Sequence, residues 1–414
     1  MAEFILAREN GRKIPREDRI FGISSRAKTA IAEKGRDNVI NGTIGALLDD
    51  EGKLVVLKSV DEVFRKLGPN DYAEYAPIGG IVPFREAVQK AAFGEHTPDG
   101  YIEAVATPGG TGSLRNVISN YSEPGDAVLT SDWHWAPYGT IAGEIGRKIN
   151  VFEMFTEEGK FNGTSFRAKC SELLAKQNSL VIILNTPAHN PTGYSLTDED
   201  WDEVIWILKG EAESGKAIAL LVDAAYIDFA GDEEKYRRFM PKLAQLPENV
   251  ISIVAYSLSK TFTLYGARCG AMICVAKTPE IAEEFKRVSE FSSRGSWSNT
   301  ARIAQVILSK IYGDTALLEK VNEERKIYRD MLAARGKAFS EAAEECGLKI
   351  VPYDAGFFVS VPCDDPDAVS RALEEQNVFL VPLAKGIRVS VASIPEEACR
   401  KLPPMIKQAI EKQD

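Results

Sequence analysis

The chain is poor in the residues that build metal centres. It has only three histidines, His96, His134 and His189, among 414 residues. No HExxH and no paired CxxC spacing occurs, so no metal site is expected. The six cysteines, Cys170, Cys269, Cys274, Cys346, Cys363 and Cys399, form no CxxC pair and mostly have apolar neighbours. They read as reduced, largely buried thiols of a cytoplasmic protein. No apolar run approaches the roughly 18 residues of a membrane span. The opening MAEFILARENGRKIPRED is too charged and its apolar stretch too short for a secretory segment. Basic residues are outnumbered by acidic ones, 50 to 60, giving a net charge of −10. A general nucleic-acid binder needs the opposite balance. With 44% hydrophobic residues the chain can bury a large core without staples, and its length suggests two or three domains.

From about residue 100, short apolar runs alternate with amphipathic stretches. The candidate strands are 104–107, 127–130, 150–153, 181–185, 219–223, 251–256 and 271–275. Nearly all their residues are apolar, which fits strands of a parallel sheet covered on both faces. Between two of them, TDEDWDEVIWILKG offers a capping box at Thr197 and Asp200. One apolar face of Trp201, Val204, Ile205 and Leu208 follows. The pattern predicts an α/β fold: a large domain with a mostly parallel seven-stranded sheet flanked by helices. After about Asn299 come helical stretches at 300–312 and 316–346, then short strands near 357–361, 378–381 and 387–392, and a last helix from Pro395. These read as a smaller α+β domain. The expected division is 1–50 as an N-terminal arm and part of the small domain, 51–312 as the large domain, and 313–414 as the small C-terminal domain.

Ligands of open α/β sheets sit beyond the carboxyl ends of the strands, and four segments there are polar. TPGGTGSLRN, 107–116, is a Gly-rich turn opening a helix, which suits a phosphate or is merely a tight turn. NTPAHNPTG, 185–193, is a turn by composition. In LLVDAAYIDF, Asp223 ends an apolar run, where an ionised carboxylate needs a cation. A structural salt bridge is the rival explanation. Tyr226 follows closely. In VAYSLSKTFTLYGARCG, Lys260 lies just past a buried strand with Ser257, Ser259, Thr261 and Arg268 nearby. A confined lysine has a lowered pKa and can attack a carbonyl, whereas a lysine at a strand end is otherwise a solvated charge. One ligand would satisfy all these groups. It carries a phosphate, an aldehyde for Lys260, a basic ring nitrogen for Asp223 and a ring oxygen for Tyr226 and Asn190. Pyridoxal 5'-phosphate has these features.

Eight segments, in order, resemble the fold-type I pyridoxal-phosphate aminotransferases of the aspartate/aromatic subgroup. They are EYAPIGGIVPFREAV, GGTGSLRN, SDWHWAPY, AHNPTG, DAAYIDF, SLSKTFTLYGARCG, TARIAQVIL and RVSVASIP. The resemblance implies that Lys260 holds the cofactor covalently and, once freed, carries a proton. It implies that Asp223 keeps the ring nitrogen protonated, and that Tyr226 and Asn190 hold the ring oxygen. Gly110, Thr111, Ser257 and Arg268 would bind the phosphate. Trp135 would stack on the ring, with Trp133 a close competitor. Arg388 would grip the substrate carboxylate, with Gly45, Asn190 and Trp135 also lining the substrate. Tyr75 would reach the phosphate of a neighbouring subunit, so a homodimer with shared sites is implied, its N-terminal arm crossing to the partner.

Two positions depart from the subgroup. Ungapped alignment backwards from TARIAQVIL puts Glu290 where aspartate-type members carry an arginine, with Arg287 and Arg294 nearby. Tyr138 stands where a histidine usually backs Asp223. An aromatic or other non-aspartate donor is therefore expected, with a 2-oxo acid such as 2-oxoglutarate as acceptor. The competing possibilities are an aspartate aminotransferase, a lyase using the same cofactor, and a regulatory binding module on the same fold.

Overall fold

The computed structural model describes residues 5–6 and 19–413. The N-terminal arm expected to cross to a partner lies mostly outside these residues. The seven expected runs are all strands: β1 (Tyr101–Thr107), β2 (Ala127–Ser131), β3 (Lys148–Phe152), β4 (Ser179–Asn185), β5 (Ala217–Asp223), β6 (Val250–Ser257) and β7 (Gly270–Ala276). They form one sheet in the order β1-β7-β6-β5-β4-β2-β3. Alternate side chains enter two different apolar layers. Leu180, Ile182 and Leu184 of β4 face one, and Val181 and Ile183 face the other. That is why these strands are continuously apolar in sequence.

Two strands depart from the simple expectation. β3 is an edge strand with exposed Lys148 and Val151, so it is not covered on both faces. β7 runs antiparallel to both its neighbours, while the remaining pairs are parallel. A parallel return would have to carry the chain to the opposite end of β6. Instead Gly270 pairs with Ser257. The segment between them, which holds Lys260 and Arg268, therefore loops out at the carboxyl end of β6.

Eight helices matter below: α1 (Arg19–Lys34), α2 (Gly109–Tyr121), α3 (Asp198–Ala212), α4 (Leu258–Thr261), α5 (Pro279–Ser296), α6 (Arg302–Tyr312), α7 (Thr315–Cys346) and α8 (Glu396–Glu411). The start of α3 is set by the capping box read in sequence. The Thr197 hydroxyl accepts from the Asp200 N–H at 3.1 Å, and the Asp200 carboxylate accepts from the Thr197 N–H at 2.9 Å. Two orphan donors are thereby satisfied. Trp201, Val204, Ile205 and Leu208 then point inward.

A second apolar cluster forms the core of the smaller unit. Its antiparallel sheet joins β8 (Phe358–Pro362), β9 (Val381–Pro382) and β10 (Gly386–Ser390), with β10 in the middle. Helix α1 packs on Phe379 of this unit, and Ile40–Asn41 pair with Val378–Phe379. Helix α7 belongs to both units. Its 32 residues span about 48 Å. Leu317, Leu318 and Val321 pack on the large core, and Leu332, Ala338, Phe339 and Ala343 on the small one. Asp314 caps its start and Gly347, at φ 69°, ends it.

Trp201 anchors α3 by stacking on Phe239, with ring centroids 4.2 Å apart and planes 1° from parallel. Trp201→Ala is expected to destabilise the large unit by about 3–5 kcal/mol, because the void cannot collapse. Denaturant unfolding followed by circular dichroism measures this. A loss under about 1 kcal/mol would show that the ring is not a core anchor.

Candidate active site

The carboxyl ends of β4, β5 and β6 and the start of α2 enclose a cavity. Its walls include Gly110, Thr111, Trp135, Asn185, Asn190, Asp223, Tyr226, Ser257, Ser259, Lys260 and Arg268. The segments singled out in the sequence thus converge, because each begins where a strand of one sheet ends.

Lys260 stands on α4, the single helical turn after β6. Its ammonium lies 5.5 Å from the Tyr226 ring centroid and 5.6 Å from that of Tyr265. Burial lowers its pKa to about 8, helped by the charges of Arg268 and Arg388 and opposed by Asp223. Asp223 is the last residue of β5 and is only 6% exposed. Burial raises its pKa above the ordinary carboxylate value. The Tyr138 hydroxyl donates to it at 2.6 Å, the Ala225 N–H donates at 3.4 Å, and the charge of Lys260 acts in the same, lowering direction. None of these neutralises it at contact distance. A buried acid left in this condition fits a cationic ring nitrogen. Tyr138 is itself fully buried, and burial together with Asp223 raises its pKa well above the ordinary value.

Tyr226 accepts a hydrogen bond from the Asn190 amide at 3.3 Å, so phenol and amide face the cavity together. Asn185 holds this corner. Its carbonyl accepts from the Asn190 N–H at 2.6 Å, and its amide donates to the Asp223 carbonyl at 2.7 Å. The signal for Asn185, a polar residue ending an apolar strand, was present in the sequence but looked like part of a turn.

The phosphate side gathers a helix start and a guanidinium. Gly110 and Thr111 occupy the first turn of α2, whose free N–H groups favour an anion. Arg268 adopts left-handed backbone angles and donates from Nη1 to the Ser259 hydroxyl at 3.1 Å and the Tyr265 carbonyl at 3.0 Å. A Cβ at Gly109, where φ is +70°, would come within 2.7 Å of its Nη2, so glycine is required there. Lys260, Asp223 and this anion cradle together suit a phosphorylated aromatic aldehyde with a ring nitrogen.

Trp135 borders the cavity, edge-on to Tyr138 with centroids 5.6 Å apart. Trp133 instead joins the large core and lies under the Lys385 ammonium. The two tryptophans differ because Ser131 and Asp132 turn the chain at the end of β2, and the Asp132 carboxylate binds the Trp133 N–H.

Arg388 comes from the middle strand of the small sheet. It is 4% exposed, and burial lowers its pKa to about 10. Its guanidinium lies over the Phe358 ring at 4.4 Å and donates to the Thr43 carbonyl at 3.2 Å and the Asn190 carbonyl at 3.4 Å. These acceptors are neutral, and Nε has no partner. A buried fork of this kind is prepared for a carboxylate. Sequence reasoning did not find Thr43 or Phe358, because neither type carries a signal of its own. Gly45 sits close by, where an added Cβ would touch the Phe358 ring at 3.6 Å.

Four residues singled out in the sequence lie elsewhere. Tyr75 is 85% exposed and does not border this chain's cavity. Glu290 of α5 packs against Gly79, and Arg294 donates to Ser298 at 2.6 Å. Arg287 also belongs to α5. Among the described residues no group of histidine, cysteine and carboxylate side chains could hold a metal, and no helix is long and apolar enough to cross a membrane.

The family model described as aminotransferase class I and II matches residues 37–403. The chain is 27% identical over 376 residues to the aromatic-amino-acid aminotransferase of Escherichia coli strain K12, covering 87% of this chain and 91% of that one. It is 28% identical over 395 residues to the mitochondrial aspartate aminotransferase of Schizosaccharomyces pombe, covering 91% and 85%. A solved aminotransferase from Anaerococcus prevotii shares 39% identity and superposes with a TM-score of 0.96 over 98% of this chain and 100% of that one. The aromatic-amino-acid aminotransferase of Burkholderia pseudomallei, solved covalently bound to pyridoxal phosphate, shares the fold, with a TM-score of 0.81 at 20% identity over 98% of this chain and 100% of that one. The matched span and the convergence of the motifs agree: the chain belongs to the class I and II aminotransferase family, in the subgroup of the aspartate and aromatic-amino-acid enzymes.

Proposed function

We propose that the cavity transfers the amino group of an aromatic or other non-aspartate L-amino acid to a 2-oxo acid such as 2-oxoglutarate. The protein is an aminotransferase, and its cofactor is pyridoxal 5'-phosphate. One observation carries the site assignment. A lysine with a lowered pKa and a buried acid without a contact cation line a single cavity, and a buried arginine without a carboxylate donates to Asn190 of its wall.

When bound, the cofactor supplies an electron sink that acidifies the substrate Cα–H. Asp223 holds a proton on the ring nitrogen, and Tyr138 keeps the acid oriented. Tyr226 and Asn190 hold the ring oxygen. Gly110, Thr111, Ser257 and Arg268 hold the phosphate, and Trp135 covers the ring. Arg388 binds the substrate α-carboxylate bidentately, beside Gly45. Lys260 anchors the cofactor and, once displaced, accepts the Cα proton. At a pKa near 8 a useful share of this amine is neutral in the physiological range.

The donor preference rests on Glu290, which the resemblance places at a position supplied across the proposed dimer rather than to this chain's own cavity, a carboxylate where a dicarboxylate-specific site needs a cation. Both aromatic and aspartate enzymes stand among the relatives, so aspartate remains the second reading. We further propose a homodimer, supported by the large apolar side chains of Tyr75 and Phe291, which are 85% and 82% exposed. A cytoplasmic location is supported by six unpaired thiols. The division at residues 50 and 312 is supported by the two separate apolar clusters, with α7 as the element they share.

The decisive experiment mixes the holoenzyme with one amino acid and no acceptor. The cofactor should be converted to its aminated form, with the 2-oxo acid released in equal amount. Ammonia and pyruvate would mark a lyase. Aspartate as the best donor would overturn the proposed preference. Lys260→Ala should still bind cofactor while turnover falls by about a thousandfold or more, since anchor and proton carrier are both lost.

Arg388→Lys keeps the charge and loses the fork. It should lower kcat/KM for amino acid and oxo acid alike by about a hundredfold. Unchanged efficiency would assign the carboxylate to another residue.

Only a neutral amine attacks an acylating reagent. In cofactor-free protein, Lys260 labelling should therefore be suppressed below pH 8 and rise through about 8, ahead of ordinary lysines. Peptide mapping across a pH series reads this midpoint. A midpoint at the ordinary lysine value would show that burial does not govern the amine.

A further inference from the structure

The mechanism above leaves unused a second buried acid in the same segment. Asp228 follows Tyr226 by two residues and is 1% exposed. Its Oδ1 accepts from Arg237 Nη2 at 2.6 Å and lies 3.8 Å from Arg325 Nη2. Its Oδ2 accepts from the Tyr256 hydroxyl at 2.9 Å and the Thr261 hydroxyl at 2.7 Å. These partners come from four places: the segment after Tyr226, the end of β6, α4 and α7.

Thr261 is the neighbour of Lys260, and α4 is a single turn. One turn fixes several dihedral angles for very few hydrogen bonds and does not hold itself. Its position must come from tertiary anchors. At its start the Ser257 hydroxyl accepts from the Ser259 N–H at 3.3 Å. At its end the anchor is Asp228. Just beyond, Thr263 takes a φ of +52°, costly for a β-branched residue and sustained only by surrounding contacts. Leu57 supplies one, its N–H donating to the Thr263 hydroxyl at 3.0 Å.

The carboxylate is itself immobilised. Arg237 donates on its other side to the Ala91 and Ala92 carbonyls, each at 3.1 Å. Arg325, on α7, lies 3.6 Å from Glu233, which also pairs with Arg329 at 2.7 Å. A rigid, fully ionised acid therefore faces the lysine-bearing turn.

We propose that Asp228 is a positioning residue for amino transfer: through Thr261 it fixes the turn that carries Lys260, and through Arg325 it ties that turn to the helix shared by the two units. This rests on Lys260 being the cofactor-binding amine. Nothing in Asp228 touches substrate or cofactor.

Replacing Asp228 would remove the ion-pair partner of buried Arg237 and leave buried Arg325 with Glu233 alone, so folding itself would be at risk. The test uses its partners. Thr261→Val keeps shape and removes the hydroxyl; Thr261→Ser keeps the hydroxyl and removes the methyl. Tyr256→Phe removes the second hydroxyl donor and serves if Thr261→Val does not fold. Each holoenzyme is assayed for kcat, KM and the pH midpoint of its visible absorbance. Each is also reduced with borohydride and mapped.

Thr261→Val should lower kcat by about tenfold with KM changed less than about twofold, and should move the absorbance midpoint. Thr261→Ser should recover most of the loss, and Tyr256→Phe should shift the same quantities in the same direction. Wild-type kcat and midpoint in Thr261→Val overturn the proposal. So does Thr261→Ser failing as badly as Thr261→Val, which assigns the role to methyl packing. If the wild-type adduct maps to another lysine, the parent reading fails. If it maps to Lys260 while the variants behave like wild type, only this inference fails.

Discussion

Two buried charges without ionic partners dominate this protein. Asp223 lines the cavity and Arg388 donates to Asn190 in its wall, yet neither charge neutralises the other. Each is held by neutral hydrogen-bonding groups: a phenol and a backbone N–H for the acid, two carbonyl oxygens and a ring face for the guanidinium. Burial therefore shifts both toward their uncharged forms. Such an arrangement costs folding stability. The proposed ligands would recover the deficit, with a protonated ring nitrogen at one end and a carboxylate at the other. Lys260 stands in the same field, and its lowered pKa follows from the same dryness and from the two nearby guanidinium groups.

The contrast with Asp228 sharpens the point. Asp223 and Asp228 lie five positions apart and are both buried. Burial acts to raise both pKa values, but at Asp228 the charges of Arg325 and Arg237 overcome it and hold the carboxyl far below its usual range. One acid is satisfied by protein and serves structure. The other is left open and serves chemistry. Local sequence does not separate them, since both follow apolar stretches of one segment. The difference arises from Arg237, nine residues on, and from Arg325, nearly a hundred residues later, whose helix packs there through tertiary contacts alone.

This marks where sequence stops being informative. The strands were legible because a sheet covered on both faces demands unbroken apolar runs, and the rule fails at β3, where one edge is open. Lys260, Asp223, Tyr226 and Arg268 were legible because polar residues at the mouths of such strands are conspicuous. The antiparallel turn-back of β7 was not, because direction is decided by where a loop returns and not by strand composition. Arg388 lies in a short strand that reads alone as half exposed. Only the packing of the small sheet over Phe358 and Thr43 makes it a buried fork. Trp133 and Trp135 have near-identical neighbourhoods in sequence, and the turn at Asp132 sends one into the core and the other to the cavity.

The site is built from two units, and this division has a mechanical consequence. The large sheet supplies Lys260, Asp223 and the anion cradle, while the small sheet supplies Arg388. Near Arg388 in sequence, Lys385 forms an ion pair with Asp132, whose carboxylate accepts from the backbone N–H of Trp133. Helix α7 fastens the units together at the rear, through Arg325 on one side and the Leu332–Phe339 face on the other. If Arg388 holds the substrate carboxylate as proposed, that carboxylate is registered against the amine of Lys260 through a short path at the mouth and a rigid helix behind. Proton transfer at a defined carbon needs that registration, because a misplacement of about 1 Å costs roughly a hundredfold in rate. The elements far from the chemistry thus carry the precision on which it depends.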